Sequence, residues 1–332
     1  MSDVAIRAGV SHQTVSRVLN SPALVKSSTR DRVLQAIEEL GYRRNMNARA
    51  LVTTKTHVIG VVTPSSQLYG PLQTTMAIQD SARQAGYATA ITSPPEGSLS
   101  EHRPLEFFAE LGVDGIIVIS PTFAIALGAD PSENGPPVVA VSAEPHHNPR
   151  VQTVGIDHVA GARLATRHLI DLGHRRIAHV GGPPDWHDAR AREQGWREEL
   201  AAAGLPAEAP MTGSWSAAHG YEAAMKIVGV PRRDRPTSIF AANDLIALGV
   251  IRALANLGVS IPAEMSLVGY DDAPGCEFYE PPLTTVRQPF HEVGELAVTT
   301  LLAALQDAPP KQHAPYRPEL ITRASSAVAM HP

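Results

Sequence analysis

From residue 57 to residue 270 the chain alternates short, continuous apolar runs with longer amphipathic stretches, and it does so twice. Runs of β-branched residues bounded by turn signals are strands buried on both faces, an arrangement found in parallel sheets covered by helices. The first set of strands is 57–63 (with Val-Ile-Gly-Val-Val), 87–92, 114–120 (Asp-Gly-Ile-Ile-Val-Ile-Ser) and 137–142, with helices over 72–84 and 101–111. After Val154-Gly155-Ile156-Asp157 the pattern restarts, with helices over 159–172, 189–203, 217–228 and 244–257 and strands over 176–180, 238–242 and 265–270. Two successive doubly wound halves of similar size imply two lobes facing a cleft. Ligands of such sheets bind beyond the carboxyl ends of the strands. The stretches 65–71, 142–145 and 185–192, with Asn243, Asp271 and Asp272, are therefore expected to converge there.

The segment ahead of this body has a different texture. Residues 1–57 carry nine Lys/Arg against four Asp/Glu, a net charge of about +5, whereas the remainder is net −10. A small basic head on an acidic body suits a module that contacts phosphates. Val4, Ala5 and Ala8 recur at helical spacing, Gly9 permits a sharp turn, and Ser11 is a good N-cap for a second helix. On that helix Val15, Val18 and Leu19 share one side, and His12, Gln13, Ser16 and Arg17 share the other. A short helix with an apolar back and a hydrogen-bonding front fits the major groove, where Gln bridges adenine and Arg bridges guanine. A third helix is expected from Ser27 or Ser28 to Leu40, with Val33, Leu34, Ile37 and Leu40 at core spacing, cap and phosphate-contact hydroxyls from Ser27, Ser28 and Thr29, and Gly41 ending it.

The run Asp-Val-Ala-x-x-Ala-Gly-Val-Ser-x-x-Thr-Val-Ser-Arg-Val-Leu-Asn over 3–20 resembles the N-terminus of the lactose-repressor (LacI/GalR) family of bacterial transcription regulators. The resemblance extends along the chain: residues 172–183, Ala189-Arg190-Ala191-Arg192 with Gly195-Trp196, Ala242-Asn243-Asp244, Gly269-Tyr270-Asp271-Asp272 and residues 281–288 all look like family signatures. It implies an all-α helix-turn-helix head followed by a two-lobed α/β body like a type I periplasmic binding protein, with parallel doubly wound sheets. The implied boundaries are 1–44 for the head, 45–56 for a hinge and linker, and 57–330 for the body. Within the body, the N-terminal lobe takes about 57–156 and 289–315, and the C-terminal lobe about 157–287 and 316–330. The crossovers fall near Asp157, Gln288 and 315–318. Tyr42 to Leu51 is similar to the family's hinge, which folds on operator DNA and wedges a leucine into the minor groove. The residues expected at DNA are thus Ser11, His12, Gln13, Thr14, Ser16, Arg17, Asn20 and Thr29 from the head, and Tyr42, Asn45, Ala48 and Leu51 from the hinge. Helix 1 begins almost at Met1, so fewer N-terminal phosphate contacts are expected than in the family.

The resemblance also implies a sugar effector. Sugars are held by multi-donor and multi-acceptor side chains around their hydroxyls and by aromatic rings against their C–H faces. Arg192, Asn243 and Asp271 match the family's hydroxyl-binding positions, with Asp188, Arg190 and Gln288 nearby. Trp215 matches a sugar-stacking tryptophan, Leu68, Tyr69 and Phe290 are expected to line the N-terminal lobe, and Trp186 sits at the mouth. The expected partners are double-stranded operator DNA, a glycoside or disaccharide acting as inducer, and a second copy of the chain. Palindromic operators demand a two-fold axis, and no heptad tail follows residues 321–326, so a dimer is expected. Co-repression would use the same parts with opposite sign. A sugar-transport protein would need a signal peptide, and an α/β enzyme a nucleophile or an acid–base pair; neither is evident.

Other chemistries find little support. Thr63-Pro64-Ser65-Ser66 lacks the glycines of a phosphate loop, no serine elbow appears, and His146-His147 lacks partner ligands for a metal, so no cofactor or metal is expected. The single cysteine, Cys276, excludes an internal disulfide and fits a reducing compartment. No run of eighteen apolar residues and no charged-then-apolar leader is present, which points to the cytoplasm and away from a membrane.

Overall fold

The computed structural model describes residues 1–20, 22–42, 55–64, 68–93, 104–119, 122 and 135–330. The chain divides into two compact units, Met1–Thr56 and His57–Pro332.

The first unit is helical: α1 (Ser2–Ala8), α2 (His12–Asn20), a 3-10 turn at Pro22–Leu24, and α3 (Ser27–Glu39). Gly9 sits at φ 64°, which lets α1 stop and the chain turn within three residues. The Ser11 hydroxyl then accepts from the Thr14 amide at 3.2 Å and caps α2. Val4, Ala5, Ala8, Val15, Val18, Val33 and Ala36 form the core, with Leu19 and Ile37 packed against it. Two expectations fail here. Leu34 and Leu40 are 48% and 46% exposed, and Ala36 takes a core position instead, on the buried side of α3 with Val33. Lys26, not Ser27 or Ser28, is the N-cap of α3, and it makes no capping side-chain bond. Gly41 (φ 56°) ends α3 as expected, and the Tyr42 amide returns to the Ile37 carbonyl at 2.9 Å.

The second unit opens with β1 (Val58–Val62), α4 (Tyr69–Gln84), β2 (Ala88–Thr92), α5 (Pro104–Leu111), β3 (Gly115–Ile119), β4 (Val138–Val141) and β5 (Gln152–Val154). These five strands form one parallel sheet in the order β2-β1-β3-β4-β5. Next come α6 (His158–Asp171), β6 (Ile177–Val180), α7 (His187–Ala202), α8 (Ala217–Gly229), β7 (Ser238–Ala241), α9 (Asp244–Asn256) and β8 (Ser266–Val268). Their strands form a second parallel sheet, β6-β7-β8. The last elements are β9 (Thr285–Arg287), α10 (Phe290–Ala304) and β10 (Glu319–Ile321), with β9 and β10 paired antiparallel.

Strands β1, β3, β7 and β8 are buried on both faces, which is why they read as apolar runs. Ile117 and Ile119 enter one core with Ile78, Val293 and Leu301, while Ile116 and Val118 enter another with Phe108. In the second sheet Ile239 and Ala241 face Ile246, Val250 and Leu254, and Phe240 faces Leu169, Trp196 and Leu200. The helix α10, not anticipated from the sequence, packs on α4, β3 and β4 and so completes the first lobe. Three segments run side by side between the lobes. The Asp157 amide donates to the Tyr316 carbonyl at 2.8 Å, the Tyr316 amide to the Gly155 carbonyl at 2.9 Å, and β9 leads through Gln288 into α10. Among the described residues, no helix is long and apolar enough to cross a membrane.

Candidate functional site: a polar cleft between two lobes

The carboxyl ends of β3 and β4 face the segments that follow β6 and β7 across a cleft open to solvent. Nine of the expected effector residues line it: Leu68, Tyr69, Asp188, Arg192, Trp215, Asn243, Asp271, Gln288 and Phe290, with Trp186 beside them. Arg190 does not. It lies two residues from Arg192 on α7, which turns it to the exposed side of the helix. Asp272 is also diverted: its carboxylate pairs with Arg287 at 2.8 Å and Arg323 at 2.7 Å. Of the stretch 65–71, residues 65–67 lie outside the described residues, as do Asn45, Ala48 and Leu51 of the hinge.

Arg192 is the centre of the polar wall, although its side chain is only 5% exposed. Its Nη1 donates to the Ala242 carbonyl at 2.6 Å and lies 3.7 Å from Asp271 Oδ1. Its Nε donates to His158 Nδ1 at 3.4 Å, and its Nη2 lies 4.0 Å from Asp188 Oδ2. The guanidinium also lies over the Tyr270 ring at 4.0 Å, a cation–π contact. His158 was not foreseen as a site residue. It starts α6 just after the crossover, is buried, and stands 3.5 Å from Asp188. Burial, and secondarily Arg192, lowers its pKa to about 4 against the opposing pull of Asp188.

Asp271 occupies a strained turn at φ 118°, held by its amide bond to the Val286 carbonyl at 2.8 Å. Its carboxylate accepts from Gln288 Nε2 at 2.5 Å. Burial raises its pKa against the lowering pull of Arg192. Asn243 caps α9, accepting from the Ile246 amide at 2.7 Å, and donates to the Trp215 carbonyl at 3.3 Å. A cap and a cleft wall are thus built by one residue. The Trp215 ring lies against Gly182, where a Cβ would fall 2.4 Å from it, so only glycine lets the indole in. Its indole N–H is buried without a partner among the described residues. Trp186 meets Trp215 edge to face at 5.6 Å, and Tyr69 meets Phe290 likewise at 5.6 Å, so each lobe contributes an aromatic pair. Burial, then the charge of Asp271, raises the Tyr69 pKa. At the mouth, Thr122 bridges Trp186 and Glu144 Oε2 lies 3.2 Å from His187 Nδ1, joining the lobes.

In the head, α2 presents His12, Gln13 and Arg17 exposed and Thr14 and Ser16 partly so. Tyr42 is half-buried and packs against the head core.

Residues 1–45 match the family described as "Bacterial regulatory proteins, lacI family", and residues 166–326 match the periplasmic binding protein-like domain. The chain is 36% identical over 311 residues to the lactose operon repressor of Escherichia coli (strain K12), covering 92% of this chain and 84% of that one. This chain belongs to the lacI family. Among solved structures, a Lac repressor dimer bound to operator and the anti-inducer ONPF superposes with a TM-score of 0.85 at 31% identity, covering 98% of each chain. The transcriptional regulator CelR in complex with cellobiose superposes with a TM-score of 0.73 at 29% identity, again covering 98% of each chain.

Proposed function

We propose that this lacI-family chain is a sequence-specific DNA-binding repressor whose operator affinity is set by a small sugar bound in the cleft. The observation that carries this is the placing of Arg192, Asp271, Asp188 and Asn243 on one wall of a cleft that Leu68, Tyr69, Ile119, Trp186, Trp215 and Phe290 also line. Hydroxyl-binding groups opposite ring faces are what a pyranoside needs. Membership of the family, and relatives solved with operator or with a sugar, support the same reading. In it, Gln13 and Arg17 read bases and Ser11, Thr14, Ser16 and Thr29 position the head on phosphates. The hinge of residues 45–56 orders on DNA through Leu51. The sugar binds two lobe arrangements unequally, and so acts on the operator through differential affinity.

The chain acts as a dimer in this reading. Exposed Leu72 and Met76 share one face of α4, and exposed Leu245 and Leu248 share one face of α9, which are surfaces suited to a second copy. The cleft is a sensor and does not turn over its ligand: Asp271 and His158 are tied to Gln288, Arg192 and Tyr270. The direct test is retardation of DNA from the chain's own genomic neighbourhood, with and without a panel of sugars. Specific retention that one sugar releases is expected. Failure to retain any such duplex would overturn the reading.

A further inference from the structure

The charges of the cleft act as a filter. We infer that the cleft admits uncharged, hydroxyl-bearing ligands and rejects their phosphorylated or carboxylated counterparts. This rests on the sugar-sensing reading above and narrows it.

Among the described residues lining the cleft, Arg192 is the only Lys or Arg. Its donors are directed to the Ala242 carbonyl, His158 and the Asp188 and Asp271 carboxylates, and Tyr270 covers its face. A phosphate is held by several charge-assisted donors at once. To collect them here it would have to draw Arg192 away from Asp271 and leave that carboxylate buried without its cation, which is costly. Asp188 and Asp271 face the same space, so an incoming anion meets two acids and one engaged base.

Helix N-termini, which often hold anions, do not restore such a site. The first turns of α7 and α9 already carry Asp188 and Asp244. The first turn of α4 contains Pro71 and so lacks one of its free N–H groups. What the lining offers a ligand is two carboxylate acceptors, uncharged polar groups such as the indole N–H of Trp215 and the hydroxyls of Tyr69 and Ser142, and ring faces. Hydroxyl groups satisfy the acceptors by donating, and C–H faces satisfy the rings.

The full-length protein is titrated calorimetrically with matched pairs: glucose and glucose 6-phosphate, galactose and galactose 6-phosphate, trehalose and trehalose 6-phosphate, methyl glucoside and glucuronic acid. The member that binds is expected to be neutral, with its charged partner weaker by on the order of a hundredfold. In Asp188→Asn the gap should narrow by about tenfold. A charged member binding as well as its neutral partner overturns the filter but leaves sugar sensing intact. A gap unchanged in Asp188→Asn overturns charge as its cause. If no sugar of either kind binds or releases DNA, the sensing reading falls and takes the filter with it.

Discussion

Arg192 has more to lose than a ligand contact. Its guanidinium is the cation nearest the buried Asp271 carboxylate, and it also spans His158, Tyr270 and Ala242. Truncating one partner of a buried ion pair costs about 3–5 kcal/mol, because the other charge stays behind. Arg192→Ala is therefore expected to lower stability in urea denaturation by about 3 kcal/mol and to abolish release of operator by any sugar, while the folded variant still retains DNA. Loss of operator binding by that folded variant would contradict the assignment of Arg192 to the cleft. The buried histidines make a second prediction. His158 and His179 both have pKa values lowered to about 4, chiefly by desolvation, from 6.5. The unfolded chain therefore binds more protons than the folded one between those values. Each imidazole's contribution, up to roughly 3 kcal/mol, is complete above pH 6.5 and is lost as pH falls toward 4. The buried Asp244 carboxyl is shifted upward and gives a slope of opposite sign, so a whole-molecule melt would mix the two. Site-resolved NMR of the imidazoles is the appropriate measurement. Both rings should remain neutral at pH 5.5, and either one titrating above pH 6 would contradict the burial argument.

At the scale of elements, α8 and α9 touch along their backbones. A Cβ on Gly249 would fall 1.8 Å from the Ala217 carbonyl oxygen, and one on Gly220 would fall 2.0 Å from that of Ile246. Gly249→Ala gains about 1 kcal/mol of helix propensity, but it must push two helices apart, which costs more. A net loss of about 2 kcal/mol with an unchanged denaturant slope is expected, and an equal or higher midpoint would refute the close crossing. On α2, Gln13→Ala or Arg17→Ala should weaken operator binding by about 10- to 100-fold without altering the sugar's calorimetric affinity. The parallel strands other than β5 (Gln152–Val154) and most helices were legible in the sequence because apolar runs and 3.6-residue spacing are local signals. β9 and β10 were not, since each is three residues long and exists only through its partner more than thirty residues away. The helix α10 carried a signal in Val293, Ala297 and Leu301 that went unread. Arg190 and Arg192 could have been separated by phase, because Ala189, Trp196 and Leu200 already mark the buried side of α7. His158 could not have been found this way: its partners lie 34 and 112 residues away, and burial alone gives it a role.

For the whole molecule, the proposed function requires that cleft and operator share one free energy. If the sugar lowers operator affinity by some factor, the operator lowers sugar affinity by that same factor, typically 5- to 150-fold or about 1–3 kcal/mol. Leu51 is where the two halves of that linkage separate. It lies outside the described residues, and its proposed role rests on the hinge motif of residues 42–51. A leucine wedged between base steps stabilises the DNA-bound state. Leu51→Ala is therefore expected to weaken operator binding by at least about tenfold in fluorescence anisotropy. Sugar affinity measured calorimetrically without DNA should stay unchanged, whereas sugar affinity measured with saturating operator should keep its deficit only as far as the hinge carries the coupling. An operator affinity equal to that of the parent chain would remove the hinge from the mechanism. A changed sugar affinity in the absence of DNA would mean that Leu51 reaches the cleft by some other route, and the separation of reading head from sensing body would fail.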